Sequence, residues 1–147
     1  MNRKVTSPPR GEVPRSGGGD HAPSRASAWL GLKLVEAGEG TAVVEMATTA
    51  DMANHSGVVH GGMISTLADS AMGRSLRTLN PGVVRAMSFD LKLNFINAAK
   101  VGETLRATGH VIHAGRRTVV TECRVEGTGG RLVATASATF AVTREKE

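Results

Sequence analysis

Tyrosine is absent from this chain of 147 residues, and phenylalanine and tryptophan bring the aromatic share to only 3%. Recognition of single-stranded nucleic acid leans on aromatic platforms beneath successive bases, so that class has little to stand on. Cysteine occurs once, as Cys123, which excludes an internal disulfide and a thiolate-rich zinc site and fits a reducing cytoplasm. No run approaches the ~20 apolar residues of a membrane-spanning helix, so no membrane partner is expected. What is present, 40% hydrophobic and 21% charged residues, suits one ordinary domain with a core large enough to need no staples.

The formal charge of +5 is unevenly placed. Residues 1–25 carry Arg3, Lys4, Arg10, Arg15 and Arg25 against Glu12 and Asp20, while the rest of the chain is nearly balanced. The same segment holds four of the five prolines and the Gly17-Gly18-Gly19 run, and it has almost nothing to bury. It is expected to be a disordered tail ahead of a folded domain over residues 26–147. Its basic start is followed by Ser7-Pro8-Pro9 rather than by the apolar stretch of a secretory signal. With the excess charge in a solvated tail, nucleic acid is not an expected partner.

Beyond Trp29 the pattern becomes periodic. Leu30, Leu32 and Leu34 alternate with small or polar residues up to Gly38, and Ala42, Val44 and Met46 alternate over residues 41–48, which reads as two strands. A loop over residues 50–59 leads to a helix over residues 62–79, where Ile64, Leu67, Ala68, Ala71, Met72, Ser75, Leu76 and Leu79 draw one apolar stripe. Asn80-Pro81-Gly82 ends it. Four more strands follow: Met87, Phe89, Leu91, Leu93 and Phe95 alternate in the first, then come residues 103–114, 118–126 and 131–143. Short connections make the sheet mostly antiparallel. An eighteen-residue helix is ~27 Å long and a nine-residue strand ~30 Å, so one helix can lie along the concave face of a curved sheet. The fold class is α+β, one long central helix wrapped by a curved antiparallel sheet.

Chemistry concentrates in residues 54–73, NHSGVVHGGMISTLADSAMG. A helix N-terminus presents unpaired N–H groups and partial positive charge, and Gly61 and Gly62 strip side chains from it so that a carbonyl can approach. Asp69 falls off the centre of the apolar stripe, in line with Ser65 and Gly73. His55 and His60 lack a third metal ligand, and Cys123 on an alternating strand reads as a small buried hydrophobe. His110 and His113, three apart in a strand, are expected on opposite faces. No metal and no cofactor are expected.

This string closely resembles the active-site segment of hotdog-fold acyl-CoA thioesterases, of the phenylacetate-pathway and 4-hydroxybenzoyl-CoA type. HGG at residues 60–62 with Asp69 nine positions after His60 carries the resemblance. It continues through Ser88-Phe89-Asp90, Lys100-Val101-Gly102-Glu103, Ala114-Gly115-Arg116 and Arg131-Leu132-Val133-Ala134, covering residues 28–143. The resemblance implies a hotdog fold and hydrolysis of an acyl- or aryl-CoA thioester, with CoA as part of the substrate. It implies that Asp69 is the catalytic carboxylate, that the N–H of Gly61 or Gly62 holds the oxyanion, that Asn54 and His60 orient the site, and that Ser88 holds water. CoA or acyl contacts would come from Met63, Phe95, Lys100, His113, Gly115, Arg116 and Arg117. It further implies a homodimer whose subunits share each site, commonly paired into a homotetramer. Two other outcomes stay open at this level: a hotdog dehydratase acting on hydroxyacyl thioesters, and a non-catalytic acyl-CoA-binding module.

Overall fold

A nineteen-residue helix, α2 (Gly61–Leu79), lies against a single six-stranded sheet in the computed structural model, which describes residues 23–79 and 82–145. The expected tail therefore falls almost wholly outside the described residues, as do Asn80 and Pro81 of the expected helix stop. The strands are β1 (Lys33–Gly38), β2 (Thr41–Ala47), β3 (Val83–Phe95), β4 (Thr104–Ala114), β5 (Thr118–Glu126) and β6 (Leu132–Arg144). They pair antiparallel throughout in the order β1-β2-β4-β5-β6-β3, so β1 and β3 are the edges. This is the hotdog arrangement. Among the described residues no helix is long and apolar enough to cross a membrane.

The helix forms where apolar residues repeat every three or four positions, and Ile64, Leu67, Ala68, Ala71, Met72, Ser75 and Leu76 are buried. Leu67 and Leu76, with no exposed surface, contribute about 2 kcal/mol each on burial. Close approach of helix to sheet depends on Gly109 in β4. A Cβ there would stand 2.7 Å from the carbonyl carbon and oxygen of Ala71 and 2.8 Å from the Met72 nitrogen. Helix backbone and strand backbone touch at this point, which no other residue type allows.

Three local features depart from the sequence pattern. Leu30 and Leu32, expected to open the first strand, instead lie in the turn after a short helix, α1 (Arg25–Trp29), whose start is capped by the Ser24 hydroxyl accepting the Ser27 N–H at 3.1 Å, and β1 begins only at Lys33. A bulge between Ser88 and Asp90 breaks the alternation of β3. Ser88 stands opposite Phe140, and Leu91, Leu93 and Phe95 stand opposite Ala138, Ala136 and Ala134, so these four face the helix. Met87, opposite Ala141, faces the other way. A second bulge, between Val111 and His113, sets His110 opposite Glu122 and His113 opposite Val120. The two histidines therefore share a face, contrary to simple alternation, since one extra residue restores the phase. No group of three or more potential metal ligands exists among the described residues.

Candidate functional site

The loop before α2 is built by its own short-range hydrogen bonds. Asn54 Oδ1 accepts the Ser56 N–H at 2.9 Å and the Val58 N–H at 3.3 Å, an Asx turn, and Gly57 supplies the φ of +77° that closes it. Asn54 thus spends its carbonyl on shaping the loop. His60 Nδ1 accepts the Gly62 N–H at 2.9 Å and the His60 carbonyl accepts the Met63 N–H at 2.9 Å. His60 therefore caps the helix, and this settles which glycine has a donor to spare. The Gly62 N–H is taken, whereas the Gly61 N–H has no acceptor among the described residues. The Phe95 ring covers Gly61 so closely that a Cβ at position 61 would stand 3.1 Å from Phe95 Cζ.

Asp69 lies two turns along the helix from Gly61, in a row with Ser65 and Gly73. This row looks toward the β6–β3 edge of the sheet. Gly73 rests under the Phe140 ring, with the position of a Cβ 3.7 Å from Phe140 Cε1, and Ser88 is the β3 neighbour of Phe140. The fold therefore gathers Gly61, Asp69, Ser88 and Phe95 on one flank of α2. Asp69 is only partly exposed, and its Oδ1 is buried with no hydrogen-bond partner, alone in this respect among the described side chains. A buried carboxylate oxygen left unpaired costs stability, and such atoms recur where function needs a free acceptor.

The anticipated CoA contacts divide between the two ends of the sheet. Phe95 and Lys100 lie at the end that holds the helix N-terminus. Lys100 has an exposed side chain and a backbone locked by Glu103, while Met63 packs partly buried against the core. His113, Gly115, Arg116 and Arg117 lie at the β4–β5 turn, at the opposite end. The Arg117 carbonyl accepts the Val142 N–H at 2.9 Å, while Phe95 stands opposite Ala134. The run of β6 between those points is roughly 26 Å at about 3.3 Å per residue. Within one chain, then, the arginines and Gly61 are not brought together. Sequence reasoning missed Arg144, whose Nη2 and Nε donate to the Gly115 and Arg116 carbonyls at 3.2 and 3.3 Å and brace the turn. Its place at the end of the last strand was the available signal.

Two titrating groups stand out. Burial pushes the Cys123 thiol up to about 12, a backbone hydrogen bond at Thr108 offsetting little of it, and the side chain is an inert core residue. Glu103 has a side chain only 6% exposed. Burial alone would raise its carboxyl, yet the Arg131 guanidinium at 2.6 Å and the Thr128 and Lys100 N–H groups at 3.1 and 2.7 Å override this and hold it down to about 2. Its folded pKa is below the ordinary 4.5, so its stabilisation is complete above pH 4.5 and is lost as pH falls toward 2. Thermal melts between pH 2 and 7 should show an acid limb over this window in the wild type. Glu103→Gln should lower the neutral Tm and flatten that limb; an unchanged limb would remove the role given to this carboxylate.

A curved antiparallel sheet around one helix is the hotdog fold, and here it sets a free N–H at the helix start and an unpaired carboxylate on the helix flank. The Thioesterase superfamily model matches residues 56–134, and the chain belongs to that family. It is 33% identical over 96 residues to the Escherichia coli acyl-coenzyme A thioesterase PaaI, covering 65% of this chain and 66% of that protein. The match thus spans just under two-thirds of that relative's length. Among solved structures, the conserved Pseudomonas aeruginosa protein PA5202 superposes with a TM-score of 0.76 at 35% identity, covering 82% of this chain and 94% of the other. A hypothetical thioesterase protein of Streptococcus pneumoniae solved with coenzyme A gives a TM-score of 0.72 at 27% identity, covering 79% of this chain and 88% of the other.

Proposed function

We propose that this chain hydrolyses acyl-CoA thioesters to the free acid and CoA, at a site built by two copies related by a two-fold axis. The observation that carries the reading is the separation of the two reactive groups. Gly61 and Asp69 are eight residues apart on one helix, ~12 Å along its axis at 1.5 Å per residue. A single thioester carbonyl cannot lie within hydrogen-bond reach of both. Two antiparallel copies remove the difficulty, because the start of one helix then lies beside the middle of the other.

The edge strand β3 is the contact that suits this pairing. Among the described residues its outer backbone edge has no neighbour, and Met87, Phe89 and Phe95 along it are 67%, 65% and 56% exposed. Antiparallel pairing of β3 with its copy brings the partner's β4–β5 turn to the end that holds this chain's Gly61. Arg116 and Arg117 of one subunit then grip the phosphates of a CoA whose thioester reacts at the other subunit's helix start. Such dimers would pair into a tetramer, and a reducing cytoplasm suits the single buried Cys123.

In this reading the Gly61 N–H holds the developing oxyanion, worth about 3 kcal/mol of barrier. Asp69 either draws the proton from an attacking water or attacks the carbonyl itself, and Ser88 orients the water. His60 acts through the backbone by capping the helix. The support beyond geometry is that the E. coli relative is named an acyl-CoA thioesterase and the S. pneumoniae neighbour was solved with coenzyme A.

The test is a thiol-release screen across aromatic, short-chain and medium-chain CoA esters, with the acid product identified. Free thiol with the matching acid is expected; an enoyl product, or saturable binding without thiol release, would overturn the assignment. Arg116→Ala combined with Arg117→Ala should raise KM about tenfold or more and leave kcat within about twofold, since two charge-assisted contacts to a remote phosphate are lost. An unchanged KM would remove the phosphate role.

A further inference from the structure

The segment joining β3 to β4, residues 96–103, is a strap across the sheet end that holds the helix start. Arg131 Nη2 donates to the Ala98 carbonyl at 3.0 Å, and Glu103 Oε1 accepts the Lys100 N–H at 2.7 Å, so the residues on either side of Ala99 are each fixed by one member of an ion pair whose carboxylate is shielded and whose guanidinium is partly exposed. Ala99 is 1% exposed, and its carbonyl accepts the Val59 N–H at 2.9 Å. Val58 and Lys100 form an isolated antiparallel bridge beside it. Val59 is two residues before Gly61. From the ion pair to the free N–H at the helix start there is thus one short, continuous path of hydrogen bonds and peptide planes.

We propose that the partly buried Glu103–Arg131 pair is a positioning device for the reaction, setting through the strap where the Gly61 N–H points. This rests on the hydrolase reading given above. An exposed ion pair holding a surface loop would do little, because water would compete for every donor. Here the carboxylate has its oxygens committed to one guanidinium and two N–H groups, and the guanidinium bridges the carboxylate and a backbone carbonyl. The strap cannot slide without breaking several of these at once. An oxyanion donor acts only when it meets the oxygen of the transition state, so a displacement of about 1 Å costs up to a hundredfold in rate with little effect on ground-state binding.

The test compares Glu103→Gln with wild type well below both melting temperatures, by steady-state kinetics and by amide hydrogen exchange at Val59. The expected result is a kcat lower by about ten- to a hundredfold with KM within about twofold, and exchange at Val59 faster by about tenfold or more. Val44→Ala, a core truncation in β2 away from the strap, is the control for lost stability alone and should keep its kcat. If Glu103→Gln does not fold, Arg131→Gln gives the same readings, since it breaks the ion pair while leaving a donor for Ala98. An unchanged kcat per folded molecule, or unchanged protection at Val59, would overturn the proposal. If the wild type releases no thiol, the hydrolase reading fails by itself. Val59 exchange then still decides whether the pair holds the helix start.

Discussion

Asp69→Asn should lower kcat about a thousandfold while leaving the protein as stable as before or more so. The two halves of this expectation come from one observation. Asp69 Oδ1 is buried and unpaired, which costs folding free energy and leaves a free acceptor on the flank of the helix. Removing the charge removes the reaction's base or nucleophile and relieves the burial cost together. KM should change little, because the carboxylate acts on the reacting carbon or water and not on the CoA. Thiol-release kinetics and thermal melts of the same preparation check both halves. A variant that keeps more than about a tenth of the wild-type rate would exclude Asp69 from the chemistry.

Gly109→Ala should be among the most destabilising single changes in the chain, by about 3 kcal/mol, and Gly109→Val should prevent folding. The added carbon would stand 2.7 Å from backbone atoms of Ala71, and a backbone cannot turn aside as a flexible side chain can. The helix would have to lift from β4, opening the contacts of Ala71 and Met72, both fully buried. Because Asp69 rides on that helix, activity should fall with stability. Denaturant midpoints read the effect, and a Gly109→Ala protein within about 0.5 kcal/mol of wild type would show that the helix does not press on the sheet there.

Regular elements were legible where their pattern is local. The stripe from Ile64 to Leu76 announces a helix, and β5 occupies residues 118–126 as its alternation implies. Features that depend on pairing were not. In β3 the residues Met87 to Phe95 alternate perfectly as a sequence, yet the bulge at Ser88/Asp90 turns Met87 outward and Ser88 inward. A bulge is a property of two strands in register, and one strand's residues do not reveal it. The same cause placed His110 and His113 on one face. The role of Gly109 was hidden because nothing in β4 says that Ala71 lies across from it.

The candidate site shows a similar division. Asp69, His60 and the glycine pair stand out as a motif, and the helix N-terminus explains the glycines. Which glycine keeps its N–H free was not readable, since it turns on the rotamer of His60 and its 2.9 Å contact with the Gly62 N–H. Nor was the distance between Arg116 and Gly61 readable, because strand order and not chain order sets it. The Glu103–Arg131 pair joins residues 28 apart in sequence and could be found only in three dimensions.

The central claim is that Gly61 and Asp69 of one site come from different subunits, and subunit complementation tests it most directly. Gly61→Pro removes the backbone N–H at the first helical position, where proline suits the helix backbone, and Gly61→Ala, whose Cβ meets the Phe95 ring at the same 3.1 Å but keeps the N–H, controls for the crowding. Asp69→Ala removes the carboxylate. The Gly61→Pro and Asp69→Ala homo-oligomers alone should each be nearly inactive toward a CoA ester that the wild type hydrolyses. After co-expression or joint refolding, mixed dimers should hold one intact and one doubly defective site, restoring about a quarter of wild-type activity for random pairing. Mixed dimers, verified by mass or by dual tags, that stay as inactive as the parents would contradict the shared site.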